Sequence, residues 1–370
     1  MHYTKKERNS NIELYRIIVM LLIVMHHYVV NSGLLDEMFK TPLAPESIFL
    51  YLFGMWGKTG IDCFVLITGY FMCKSSISLY KFVKLLLQVE LYNILFGCIF
   101  LYAGYMPLSV SSIIKIINPI ASVNTDFTSC FLLFYLFIPF LNILLNKLSK
   151  SQHFLLLVLS LGIYTILGSI PWIGVTFNYI TWFCVLYVVA SYVRIYGIWR
   201  SEDKMFWGRV SLVLILISVL SVFMMLFWRV RLGGRLDWSV LMFFVSDSNK
   251  LLAFLVSVST FMFIKNVHIR QNKWINTIAS CTFGVLLIHA NSDAMRQWLW
   301  KDTCDNVGFF HSSMIYVHAL CIPIIVFIAC TIIDFCRQRF LERLYLDLVV
   351  KYIQSSKLYI SYHNRLQKYE

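Results

Sequence analysis

Charge is scarce in this sequence. Only 14% of its 370 residues are Asp, Glu, Lys or Arg, where a soluble domain carries roughly a quarter. The deficit falls in long apolar runs, so no soluble domain of useful size is expected. Short segments of alternating polarity are also missing, which excludes a membrane β-barrel. No two cysteines stand at metal-ligand spacing. The ten Cys are scattered, mostly inside apolar runs, and read as small apolar residues, with no metal site expected. Cys304, in an expected outer loop, is the exception and is assigned no role. The first apolar run, Ile17 to Val30, follows Lys5-Lys6-Glu7-Arg8 but contains His26 and His27, with Arg16 just before it. No small-residue cleavage site follows, so it reads as a retained helix rather than a signal peptide. Internal repeats and low-complexity segments are absent too.

What remains is a chain that is 59% hydrophobic with a mean hydropathy of +0.71. A run of roughly 20 apolar residues crosses a bilayer as a helix, because backbone groups in lipid must be satisfied within the segment. The reading is an all-α integral membrane protein of about ten transmembrane helices. The expected spans are 12–31, 50–73, 81–103, 129–147, 153–170, 178–196, 208–228, 248–265, 276–291 and 313–335. Pro42, Pro45, Pro107, Pro119, Pro171 and the Gly233-Gly234 pair punctuate the connections, while Pro139 and Pro323 fall inside spans as expected kinks. Residues 1–336 form the membrane domain and 337–370 a basic tail.

The net charge of +13 does not point to nucleic acid. Its cations sit in short loops beside apolar runs. Alternate connections hold Lys74 with Lys81, Lys147 with Lys150, Arg194 with Arg200, Lys204 and Arg209, and Lys265 with Arg270 and Lys273; Arg337, Arg339 and Arg343 follow the last span. That pattern predicts both termini on the cytoplasmic side. Arg229, Arg231 and Arg235 break it. They mark either a misplaced helix end or a site for an anionic ligand.

Ionisable groups in a span are costly and mark functional sites by default. The first helix carries Glu13, Arg16, His26 and His27. Arg16 and His27 are eleven residues apart. At about 100° per residue they return to one face, about 16 Å apart along the axis. Glu13 and Asn31 share that stripe, and His26 lies about 100° from it. His27 is therefore the partner of Arg16. A cation at the inner mouth and a titratable base in the outer half suit a long anionic donor entering from the cytoplasm. The alternative is an arginine reaching for the interface and a structural histidine.

The segment Asn11-Ile-Glu-Leu-Tyr-Arg16, followed by apolar residues to His26-His27-Tyr28, resembles the first helix of the acyltransferase-3 family. These are bacterial multispan enzymes that move acyl groups, usually acetyl from acetyl-CoA, onto cell-surface sugars. An Arg, ten residues and a His mark that helix, and Arg16 and His27 fit. Gly60-Ile-Asp-Cys-Phe-Val-Leu-Ile-Thr-Gly69-Tyr-Phe resembles the family's second signature, with Asp62 its ionisable member, at a depth from which it could orient His27. Lys81 and Lys84, with Gln88, share one face where the family often has two arginines. Lysine makes no bidentate contact to phosphate, and both also fit the ordinary cytoplasmic-lysine pattern. Phe283-Gly-Val-Leu-Leu-Ile-His289-Ala-Asn291, followed by Arg296, is similar to a late element in which the His is followed by Asp, here Ala290. Glu90 is an intramembrane carboxylate without an account.

The resemblance implies an O-acyltransferase using acetyl-CoA, with His27 and Asp62 catalytic. It implies that Arg16, Lys81 and Lys84 meet the donor, and that Glu13, His289, Asn291 and Arg296 bind the acceptor. The acceptor would be a hydroxyl of a surface polysaccharide or a lipid-linked glycan precursor, at a bacterial plasma membrane, with membrane lipid as surroundings and a homo-oligomer permitted. The appended extracytoplasmic esterase-like domain of some relatives is not expected. The competing reading is a multispan carrier or flippase for polysaccharide or another anionic solute, since intramembrane charges mark transport paths as readily. Two related halves, frequent in transporters, are not evident. A membrane sensor or scaffold leaves His27, Asp62 and His289 without a purpose.

Overall fold

A computed structural model describes residues 9–75, 77–121, 123 and 126–355. Helices are the only regular elements among them, with no strand. The chain begins with α1 (Ser10–Val30), α2 (Leu34–Lys40), α3 (Pro45–Gly54) and α4 (Gly57–Met72). It continues through α5 (Leu79–Tyr102), α6 (Val110–Ile117), α7 (Phe127–Lys147), α8 (Lys150–Leu161), α9 (Tyr179–Tyr196) and α10 (Lys204–Leu232). The last third holds α11 (Trp238–Leu241), α12 (Leu251–Lys265), α13 (Lys273–Ser280), α14 (Thr282–His289), α15 (Asp293–Arg296), α16 (Asn306–Phe310), α17 (Ile315–Cys336) and α18 (Glu342–Ser355).

Among the described residues, eight helical stretches are long and apolar enough to cross a membrane, α3 with α4 and α17 with α18 each counting as one. Two expected spans are shorter: α12, and α13 with α14, which break at Cys281. The protein is an all-α, multi-pass membrane protein. Helix starts carry oxygen side chains that accept the otherwise unpaired first-turn N–H groups. Ser78, Asp126, Asn178, Asp203 and Ser292 do this for α5, α7, α9, α10 and α15, and Ser149 with Gln152 completes a reciprocal cap on α8. Gly233 ends α10 at φ +63°, a left-handed conformation that favours glycine. Pro139 and Pro323 lie inside α7 and α17.

The hub is α1, which packs on α4, α3, α13, α14, α17 and α12. Its fit against α4 depends on Gly57, where an added Cβ would lie 2.2 Å from His26 Cγ. Small residues let membrane helices approach this closely. Around that hub Trp182, Trp300, Tyr28, Tyr51 and Phe183 are fully buried. Exposed Leu212, Leu216, Leu220 and Phe227 on α10 form the kind of surface lipid solvates.

Helix extends past two of the expected span ends. The helix α10 runs to Leu232, so Arg229 and Arg231 sit on its last turn, their guanidinium groups over Trp228 and Phe227. The misplaced helix end is therefore the reading that fits. Helix also continues past residue 336, through a π-helical turn Arg337–Leu341 into α18. Arg337, the first residue of the expected basic tail, is buried. It bonds Asp334 at 2.7 Å and Glu342 at 2.9 Å. Glu342 also holds Lys84, while Asp334 accepts from Gln88, Tyr92 and Gln338 as well. This network clasps α17 and α18 to the start of α5. Residues 356–370 of the expected tail, and residues 1–8, lie outside the described residues.

Candidate active site

Arg16 and His27 sit eleven residues apart on the unbroken helix α1, so the stripe inferred from the sequence is kept, about 16 Å long. The two adjacent histidines go to different partners. His26 is buried, and its Nδ1 lies 2.7 Å from the carbonyl oxygen of Gly54. His27 is half-buried, and its Nδ1 lies 2.9 Å from Nε2 of His289 on α14.

Hydrogen bonding assigns the tautomers of this pair. His289 Nδ1 is 2.6 Å from the carbonyl oxygen of Val285, which can only accept. His289 therefore carries its proton on Nδ1, and its Nε2 is an acceptor. His27 must then donate from Nδ1, which leaves His27 Nε2 with a free lone pair. A neutral imidazole held in one orientation with one lone pair available is the arrangement a general base requires. His289 is fully buried, so the orienting partner is fixed by packing as well.

Asp62 does not take that orienting position. It is fully buried, and its Oδ1 accepts from Trp182 Nε1 at 2.9 Å. One turn earlier, Lys58 donates to the Tyr179 hydroxyl at 2.6 Å and lies 3.9 Å from Asp247. Lys58 and Asp62 are four residues apart on α4, where side chains are neighbours. The sequence reading passed over Lys58, although a cation one turn from an intramembrane carboxylate was a legible signal.

At the other end of α1, Arg16 Nε is 4.0 Å from Glu13 Oε2. At the same end, Tyr15 bonds Thr260 at 2.7 Å and Cys63 at 3.0 Å, tying α1 to α12 and α4. Lys81 Nζ donates to Ser75 Oγ at 3.2 Å, and Lys84 is engaged by Glu342. Those two lysines share the start of α5 but face different partners.

Asn291 and Arg296 line a cavity of about 520 Å³ between α5, α6, α7 and the turn after α14. Asn291 bridges to Asn93 across it at 3.3 Å, and Arg296 is anchored on Asp293 at 2.8 Å. Asn93 was not singled out from the sequence. His289 and Ala290 stand at the end of α14, the histidine toward α1 and the alanine in the cavity wall. The dyad and the cavity are thus on opposite sides of one helix end. Glu13 belongs to the Arg16 end rather than to this cavity.

Neither a curated protein nor a solved structure matches the chain. A family model described as an acyltransferase domain matches residues 9–333, from the start of α1 nearly to the end of α17. With that match covering almost all of the membrane bundle, the chain belongs to the acyltransferase-3 family and is a membrane acyltransferase.

Proposed function

We propose that the protein transfers an acetyl group from acetyl-CoA to a hydroxyl of a bacterial surface polysaccharide or its lipid-linked precursor, working in the plasma membrane with both chain termini cytoplasmic. The observation that carries this reading is the His27–His289 pair at 2.9 Å, with Nε2 of His27 free to take a proton. Family membership supports the acyl chemistry. The alternation of cation-rich and cation-poor connections supports the orientation.

In this account the nucleotide of the donor meets Arg16 and Lys81, with Lys84 joining once it parts from Glu342. The pantetheine arm follows the α1 stripe toward His27. The acceptor hydroxyl approaches from the His289 end, its glycan lying in the cavity near Asn291 and Arg296. His27 Nε2 removes the hydroxyl proton as the oxygen attacks the thioester carbon. The imidazolium so formed is stabilised by the Nδ1–H bond to His289, which can accept that proton within the dyad. Collapse of the tetrahedral intermediate breaks the C–S bond, and the departing thiolate takes the proton back. Asp62 shapes the wall beside this site through Trp182 rather than by bonding His27.

The test is purified protein in lipid with labelled acetyl-CoA and candidate surface glycans. Wild type is expected to release CoA and label the glycan, and His27→Ala to do neither. Movement of glycan across the bilayer without CoA release would replace this reading with that of a carrier.

A further inference from the structure

Two buried N–H groups in the segment that follows His289 have no acceptor among the described residues. Arg296 Nε and Trp300 Nε1 are both shielded from solvent and unpaired among the described residues. A buried donor left unpaired costs about 1–3 kcal/mol and calls for an explanation. These two lie four residues apart, where α15 passes into the π-helical turn Gln297–Thr303. That spacing puts both on about the same face, and π-helical turns are frequent at functional sites.

Trp300 borders the dyad through His289. Trp300 is fully buried, its ring edge-on to both His289 and Tyr28 with centroids 6.4 and 6.0 Å away. Arg296 spends its Nη1 on Asp293, which fixes the guanidinium while leaving Nε uncommitted. The same arginine lines the cavity proposed for the acceptor.

We infer that Arg296 Nε–H and Trp300 Nε1–H form the oxyanion-binding pair of the acyl transfer. The inference rests on the reading of His27 as base in attack on acetyl-CoA. As the acceptor oxygen bonds to the thioester carbon, the carbonyl π electrons move onto its oxygen, and the hydroxyl proton passes to His27 Nε2. The two N–H groups then accept no rearrangement cost: they donate to the oxyanion, and the arginine's charge balances it in a medium of low dielectric. When the C–S bond breaks, the oxyanion returns to a carbonyl and both donors are free again.

The experiment uses the full chain in lipid, acetyl-CoA, and the glycan that supports CoA release by wild type. Trp300→Phe removes the N–H and keeps an aromatic ring, and Arg296→Met removes the donors on a partly exposed side chain. Each is expected to lower kcat by about 10²–10³-fold while KM for acetyl-CoA stays within about threefold. The dithioester analogue of acetyl-CoA, with sulfur for the carbonyl oxygen, supplies a readout that packing alone does not move. Wild type should discriminate against it, and either variant should lose most of that discrimination. If Trp300→Phe fails to fold, benzothienylalanine at 300 replaces only the N–H by sulfur. Wild-type turnover with kcat and oxygen-over-sulfur preference retained in both variants overturns the oxyanion assignment alone. Absence of any CoA release by wild type overturns the donor reading, and this assignment with it.

Discussion

Replacing His289 isolates the orienting half of the pair. His289→Ala removes the acceptor of the His27 Nδ1–H, leaving the ring free to rotate and to place its proton on either nitrogen. The bond lost is 2.9 Å long, with His289 fully buried. Between neutral partners such a bond is worth about 0.5–1.5 kcal/mol net, and about 1.5–3 kcal/mol when one is charged. His27 is neutral before the reaction and cationic in the transition state, so the larger figure applies to the barrier. A loss of about 1.5–3 kcal/mol corresponds to about a tenfold to hundredfold fall in kcat. Misassigned tautomers can enlarge it, as when the orienting partner of a catalytic histidine is altered. The assay is CoA release at saturating acetyl-CoA, with KM measured for donor and acceptor. His289→Gln restores an acceptor oxygen and should recover part of the loss. If His289→Ala folds and keeps kcat within about threefold of wild type, the dyad is not the working unit. If His289→Gln is no better than His289→Ala, His289 serves packing alone.

Gly57→Ala pushes a methyl group to within 2.2 Å of His26 Cγ; overpacking of this kind costs about 1–3 kcal/mol, read as a lower thermal midpoint in detergent, and an unchanged midpoint would mean that α1 and α4 do not approach as described. Arg337→Met leaves Asp334 and Glu342 without their shared cation; losing one member of a buried charge cluster costs about 3–5 kcal/mol, so poor folding is expected, with Gly284→Ala, whose Cβ would meet Asp334 at 2.1 Å, damaging the same junction. Lys84→Ala, by contrast, removes one arm of a partly exposed pair. It should cost less than about 1 kcal/mol of stability while raising KM for acetyl-CoA, and a KM equal to that of wild type would leave Lys84 as a purely structural partner of Glu342.

Much of this was legible because membrane helices are written in long apolar runs and because charge inside them is rare. The α1 stripe needed only spacing and the helical angle, and the angle that set His27 apart from His26 reappears in their partners, Gly54 for one and His289 for the other. The resemblance read from Arg16 and His27 holds over residues 9–333. What spacing could not supply was contact between helices. His289 is 262 positions from His27, and nothing local says that their rings meet rather than Asp62 and His27. The pairing of Asp62 with Trp182 is equally remote, across 120 positions. The last span, expected at 313–335, is α17 (Ile315–Cys336), but the pairing of Arg337 with Asp334 and Glu342 and the helix α18 that follows depend on contacts no apolar run displays. Arg296 and Trp300 were visible as residue types, and their unpaired N–H groups only as geometry.

The account stands on α1 linking a thioester on one side of the bilayer to a hydroxyl on the other. Sided vesicles test that directly: labelled acetyl-CoA outside, with protein oriented so that the Arg16 end faces it, and an impermeant acceptor glycan sealed inside. Labelled glycan in the lumen, lost with His27→Ala, is the predicted result. Labelled glycan only when both substrates are supplied on the same side would contradict it.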